Sequence, residues 1–278
     1  VKPTDGTLGA GARLADALAL LESIAPETLA EQWDNVGLQI GDPRALVRTV
    51  MVALDPSPAV IDHACAEGID LLVTHHPLFF RPVQKIDLAT PLGGAVARAV
   101  RGGLAVACLH TNLDAAADGL NDMLAARLGL SGTRPLAPIK DGPGAPHGLG
   151  RVGELDRAMP LRALAADVKA RLGSEALRLA GNPELAVRRV AVCAGSGGSL
   201  LAAFFASGAQ VFVSGDLRYH EARAVEEAGR GLIDVGHFHS EHLVKEALAE
   251  RLRDGFAARG HRVEVRTCPK EKDPFSVV

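Results

Sequence analysis

The stretch "IDLLVTHHPLFF", Ile69 to Phe80, decides how the rest of the chain is read. Its first half is a short, continuous apolar run, the mark of a strand covered on both faces in a parallel α/β sheet. Its second half sets two imidazoles, His75 and His76, directly before Pro77. Neighbouring side chains on a strand point to opposite faces, so both rings can serve one crevice only if the strand ends at about Thr74. Pro77 pushes His76 into an extended conformation. A bend there turns both rings toward the strand's carboxyl edge, where open α/β sheets place their ligand sites.

The same alternation of apolar runs and Ala/Leu-rich segments continues on either side. Strands are expected at "VRTVMVAL" (47–54), "LAVACL" (104–109), "RVGEL" (151–155), near 176–180 and 187–193, and at "AQVFVS", "GLIDV" and "HRVEVR". Helices are expected from Pro58 to Glu67, from Pro91, over "GLNDMLAARLGL", from Leu161 to Leu172, after "GSGGS", from Tyr219 to Ala228, and over about 240–258. The pattern predicts an α/β fold. "SGTRPLAPIKDGPGAPHGLG" (131–150), rich in Pro and Gly and without period, reads as a linker.

Hydrophobic residues make up 47% of the 278, so a sizeable core is available, but aromatics are only 4%, leaving Ala, Leu and Val to fill it. A net charge of −3 argues against nucleic acid or an anionic membrane as partner. Cys65, Cys108, Cys193 and Cys268 form no C-x-x-C pair, and reduced thiols are expected. The first 26 residues show helical spacing rather than a signal-peptide pattern. No run approaches the roughly 18 apolar residues of a membrane span. A soluble, cytoplasmic protein is expected.

Two further strand ends repeat the histidine theme. "LAVACLHTNLDAAADGLND" leaves His110 and Asp114 where a strand gives way to a polar loop and a helix. "LIDVGHFHSEHLVKEAL" leaves His237, His239, Glu241 and His242 in the same situation, and His237 and Glu241 share a face if a helical turn has begun. Imidazoles with carboxylates suit Zn²⁺, Mn²⁺, Fe²⁺ or Ni²⁺. A bridging carboxylate with imidazoles on each side makes a dinuclear cage in which a shared water loses a proton near neutral pH. A lone strand-end histidine is more often structural, and His110, His220, His239 and His242 are open to that reading. "AGSGGSL" (194–200) could cradle a phosphate, but it lacks a Walker lysine and reads better as a tight turn. "EQWDNVGLQIGD" (31–42) holds the only tryptophan and either lines the pocket or is an ordered loop.

"WDNVGLQIGD", "DLLVTHHPLFF", "HTNLDAA", "GLGRVGEL", "GSGGS", "SGDLRYHEA" and "DVGHFHSE", in this order over about 31–242, resemble the Nif-three-like proteins, catalogued as GTP cyclohydrolase 1 type 2 homologues. The resemblance implies two divalent metal ions per chain, Zn, Mn, Fe or Ni. His75, His76, Asp114, His237 and Glu241 match the ligand positions, with Glu241 as the bridge and His110 beside them, orienting a ligand or a water. It also implies two α/β domains with mixed, mostly parallel sheets. The first spans 1–133 and is completed by 235–278; the second spans 134–234. The implied assembly is a homohexameric ring, and the segment 131–147 is too short for the middle domain that some members carry. "SGD" stands where many relatives have "TGD", and His242 is an extra histidine after the glutamate; neither touches the implied ligands. The implied activity is metal-dependent hydrolysis of a nucleotide-like or phosphorylated small molecule. The rival reading is a metal-binding scaffold or protein-interaction ring without turnover.

Overall fold

The structure, a computed structural model, describes residues 11–139 and 147–277. The start of the N-terminal reading and part of the expected linker lie outside them. The chain forms two compact units.

The first unit comprises the described residues up to Glu27, with Gln32–His110 and Lys245–Glu271. It opens with β1 (Ala12–Arg13), α1 (Leu14–Ile24), β2 (Gly37–Ile40), β3 (Leu46–Val47) and β4 (Thr49–Ala53). α2 (Pro58–Ala66), β5 (Leu71–Thr74), α3 (Pro91–Gly102) and β6 (Ala105–Cys108) follow. Both α2 and α3 start on a hydroxyl cap with proline next in line. Ser57 Oγ accepts from the Val60 amide and Thr90 Oγ1 from the Gly93 amide, satisfying a donor that each first turn leaves open. β4, β5 and β6 pair in parallel, with Ala53 level with Thr74 and Thr74 level with Cys108.

The second unit comprises Thr28–Glu31, Thr111–Val244 and the described residues from Lys272 on. Its elements are α4 (Thr111–Ala115), α5 (Leu120–Arg127), β7 (Ser131–Pro138), β8 (Gly148–Pro160), α6 (Leu161–Leu172) and β9 (Arg178–Ala180). Then come β10 (Ala186–Ser196), α7 (Leu201–Ser207), β11 (Val211–Gly215), α8 (Tyr219–Glu227), β12 (Gly231–Asp234) and α9 (His237–Glu241). The sheet order is β7-β8-β10-β11-β12-β9. β10, β11 and β12 are parallel, and the other neighbours are antiparallel. Val152, Ala191, Phe204, Phe212 and Leu232 form the centre of its core.

α10 (Val244–Ala258), from Lys245 on, and β13 (Glu264–Thr267) complete the first unit. β13 lies parallel to β4, giving the order β13-β4-β5-β6-β2 with β2 antiparallel. The core of this unit gathers Met51, Ile61, Leu72, Val96 and Val106 with Cys268 from the chain's far end. The α/β class with mixed sheets is therefore as expected. All four cysteines are free thiols. No helix among the described residues is long and apolar enough to cross a membrane.

Two expectations need correction. Residues 131–138 are not linker but the edge strand β7, hydrogen-bonded to β8 on one side only. Proline is tolerated on such an edge, and the register shift between Ser131 and Arg134 is taken up by Gly132 at φ 59°. The single helix expected over about 240–258 is interrupted at 242–243. α9 belongs to the second unit, whereas α10 buries Leu248, Leu252 and Phe256 in the first, so the two segments answer to different cores.

The largest fully buried side chain is a charged one, Arg151 of β8. Its guanidinium forks onto Asp122 of α5 at 2.5 and 2.7 Å and donates to the carbonyls of Ala116, Gly148 and Gly150. Every charge is compensated, so removing one partner strands the other in the interior. Asp122→Ala is expected to destabilise the protein by about 3–5 kcal/mol, read from the urea midpoint; a loss below about 1 kcal/mol, the size of an exposed pair, would contradict this account.

Candidate metal centre

Extending the parallel register of the first unit two residues past its last paired positions brings Asp55, His76 and His110 side by side. The ladder does continue: the His75 amide donates to the Ala53 carbonyl, His76 to Leu54, and Leu109 to Thr74. Thr74 Oγ1 then donates to the His76 carbonyl at 2.7 Å and pins the bend. His75 is fully buried and His76 half-buried.

Each ring is held by a hydrogen bond at Nδ1. Nδ1 of His75 lies 2.8 Å from the Leu109 carbonyl, Nδ1 of His76 lies 2.7 Å from Asp55 Oδ1, and Nδ1 of His110 lies 2.9 Å from Asp34 Oδ1. A carbonyl or carboxylate oxygen can only accept, so each of these Nδ1 atoms is the donor of its bond. One ring nitrogen from each of the three histidines lies within 4.8 Å of the others. The expectation that His75 and His76 turn to one side is met, and His110 joins them.

Asp55 is itself held. Glu271 Oε1 accepts from the amides of Leu54 and Asp55 at 2.7 and 2.8 Å, and its other oxygen lies 3.1 Å from Lys245 Nζ. Both charged side chains are buried, and Lys245 also donates to the Cys268 carbonyl.

The second unit holds the remaining residues. α9 has begun at His237, so His237 and Glu241 share a face as expected, with Nε2 and Oε2 3.1 Å apart. His237 Nδ1 likewise donates to a carboxylate, Asp216 Oδ2 at 2.7 Å. Asp216 sits at φ 53°, a conformation uncommon for a non-glycine residue. It is kept there by Asp234, whose carboxylate accepts from the amides of Leu217 and Gly236 and so ties together the loops carrying Asp216 and His237.

Glu241 is almost fully buried, and Asp114 on α4 is half-buried. Both face Cys193: burial first, then the negative charges of Asp114 and Glu241, push that thiol well above its ordinary range. Cys193 is thus held protonated and donates to the Ala194 carbonyl. Gly195, at φ 63°, lets the backbone approach Glu241, since a Cβ there would stand 2.2 Å from Oε1. The rest of "GSGGS", expected as a tight turn, is the end of β10 at Ser196 and a short 3-10 helix over Gly198–Leu200. A Cβ at Gly197 would meet Ser214 Oγ and one at Gly198 would meet Glu221 Oε1, a carboxylate that disfavours a phosphate there.

His239 and His242 keep their structural reading. His239 Nε2 lies 3.4 Å from Asp273 Oδ2, and the His242 ring packs on Phe238. His220 is exposed beside Tyr219. The orienting carboxylates Asp34, Asp55 and Asp216 escaped the sequence reading. A carboxylate just past an apolar strand, in "VMVALD" and "VFVSGD", was the available signal for two of them.

Comparison with known proteins agrees with this architecture. The family model described as Duf34/NIF3 (NGG1p interacting factor 3) matches residues 12–274. A Streptomyces coelicolor protein named GTP cyclohydrolase 1 type 2 homolog is 38% identical over 95% of this chain and 94% of its own. A Clostridium perfringens protein of the same name is 32% identical over 96% of this chain and 100% of its own. Among solved structures, a Bacillus cereus protein related to NIF3 superposes with TM-score 0.92 at 25% identity, covering 97% of this chain and 100% of that one.

The close approach at Gly195 yields a test. Gly195→Ala combines the positive-φ cost of about 1–2 kcal/mol with a collision against Glu241, whereas Gly229→Ala, also at positive φ (67°) but with open space around it, carries the first cost alone. Chemical denaturation should show Gly195→Ala to be clearly the more destabilised; equal losses would mean that Glu241 is not pressed against this turn.

Proposed function

The chain belongs to the Duf34/NIF3 family, and from that premise we propose that it is a dinuclear-metal hydrolase acting on a nucleotide-like or phosphorylated small molecule. His75, His76, Asp114, His237 and Glu241 hold two divalent cations, with Glu241 as the bridge and His110 alongside. The observation that carries this reading is the common state of the four histidines. His75, His76, His110 and His237 each donate Nδ1–H to a carbonyl or carboxylate oxygen, and Nε2 is the ring nitrogen that this bond does not engage. Imidazoles oriented in this way by oxygen partners are the usual arrangement around a bound metal. The donor set, imidazole nitrogen with carboxylate oxygen, fits Zn²⁺, Mn²⁺, Fe²⁺ or Ni²⁺.

Bound cations would supply Lewis-acid polarisation and a water that ionises near neutral pH. The chain's own part is positional. Asp55, Asp34 and Asp216 fix ring orientation, and Asp234 and Glu271 fix the loops that carry two of those carboxylates. Buried Glu241 and half-buried Asp114 offer negative charge against the positive charge of the ions. The proposal includes a cytoplasmic homohexamer, to be checked by light scattering.

Elemental analysis of the purified protein should give two divalent ions per chain, and Glu241→Gln should lower this to one or none. Two ions still tightly held in that variant would rule out Glu241 as the bridge. Asp55→Ala and Asp216→Ala, which touch no ligand donor atom, should each weaken metal binding about 10–100-fold in a chelator competition. Turnover of GTP or simple phosphoesters is expected with at least one of the four metals; turnover with none would leave a metal-binding scaffold.

A further inference from the structure

Four aromatic side chains are exposed among the described residues, and two of them, Trp33 and Phe80, from segments far apart in sequence and 56% and 53% exposed, lie against each other. Their ring centroids are 5.6 Å apart at 50°, and both rings also meet His110, at 6.0 and 6.4 Å. The pair is braced from behind. Asn35 Nδ2 donates to the Phe79 carbonyl at 2.6 Å, Gln39 Oε1 accepts from the Phe79 amide, and Gln39 Nε2 donates to the Asn35 carbonyl. This polar clasp fixes the segment carrying Phe80 against the one carrying Trp33, so the two aromatic faces are set before anything binds.

Beside Phe80 opens a cavity of about 510 Å³, within the range of small-molecule sites. Arg81, Lys85, Asn35 and Gln84 line it together with apolar side chains, and no carboxylate is among the described residues of its wall. Two exposed π-faces, next to a trio of imidazoles at one end and two cations at the other, match a ligand with a flat ring and an anionic tail.

We infer that Trp33 and Phe80 form a stacking platform for a planar heteroaromatic ring, with Arg81 and Lys85 receiving the phosphates attached to it. This deepens the function proposed above and rests on it for the chemistry, though not for the binding. The ring lies against His110, so the bond to be attacked is presented to the three-histidine cluster, while the phosphates are drawn toward the cavity. A base stacks on an aromatic side chain whatever its hydrogen-bonding edge, so the platform selects flat rings over aliphatic phosphoesters without reading one base.

Trp33 is the only tryptophan, so intrinsic tryptophan fluorescence reports on this position alone. Titration of the full-length, metal-loaded protein with GTP and with guanosine should quench it, and inorganic triphosphate should not. Phe80→Ala should raise the Kd for both ring-bearing ligands about ten- to a hundredfold, and Phe80→Tyr should restore it. The double variant R81Q/K85Q should weaken GTP and leave guanosine unchanged. The inference is overturned if GTP binds by calorimetry without quenching Trp33, if neither ligand binds, or if Phe80→Ala alters only the oligomeric state. The two readings fail separately. Quenching without turnover leaves the platform and removes the hydrolase, whereas turnover of GTP with an unchanged KM in Phe80→Ala does the reverse.

Discussion

Parallel pairing of β4, β5 and β6 in register is the constraint from which the first unit's chemistry follows. Ala53, Thr74 and Cys108 end level. The next two residues of each strand therefore emerge together at one edge, and a carboxylate and two histidine rings meet there without any long loop to place them. Parallel strands covered on both faces have little freedom to slip, because a one-residue shift would exchange the side chains packed against the two layers. The positions of Asp55, His76 and His110 are thus inherited from the packing of Val52, Val73 and Ala107, which are all fully buried. Functional geometry here is a by-product of core geometry.

In the second unit a carboxylate takes over the role that register plays in the first. Asp234, at the end of β12, collects amides from the loops on either side of it and so holds Asp216 and His237 in reach of one another. The unusual backbone of Asp216 is tolerable because the residue after it is fixed by that bond. A similar tie appears at Glu271, which receives two consecutive amides beyond β4. Asp234 and Glu271 are thus buried carboxylates that fasten the turns beyond strands, whereas buried Glu241 faces the candidate metal positions.

Most helices and strands were legible because apolar period, hydroxyl caps and proline positions agreed with one another, as at Ser57–Pro58 and Thr90–Pro91. The histidines were legible for a related reason: each sits where an apolar run stops. What could not be read were relations across strands. That Asp55 pairs with His76, or Asp216 with His237, depends on which strands are neighbours and in what register, and one-dimensional spacing carries neither. β7 was missed because its prolines and glycine normally signal a loop, and an edge position removes that objection. The break at 242–243 was missed because apolar periodicity continues through it while the packing partner changes.

The return of the chain to its first unit has a consequence for biosynthesis. β4 has a neighbour on only one side until β13 emerges, and the turn beyond it is unfastened until Glu271 is made. Thr111–Val244, most of the second unit, is synthesised in one uninterrupted pass before that point. The two bodies are therefore interleaved along the chain, and the first sheet gains its outer strand only after Thr111–Val244 has been made. Until β13 is made, the outer side of β4 presents unpaired backbone donors and acceptors, the kind of edge on which strands of other chains can add.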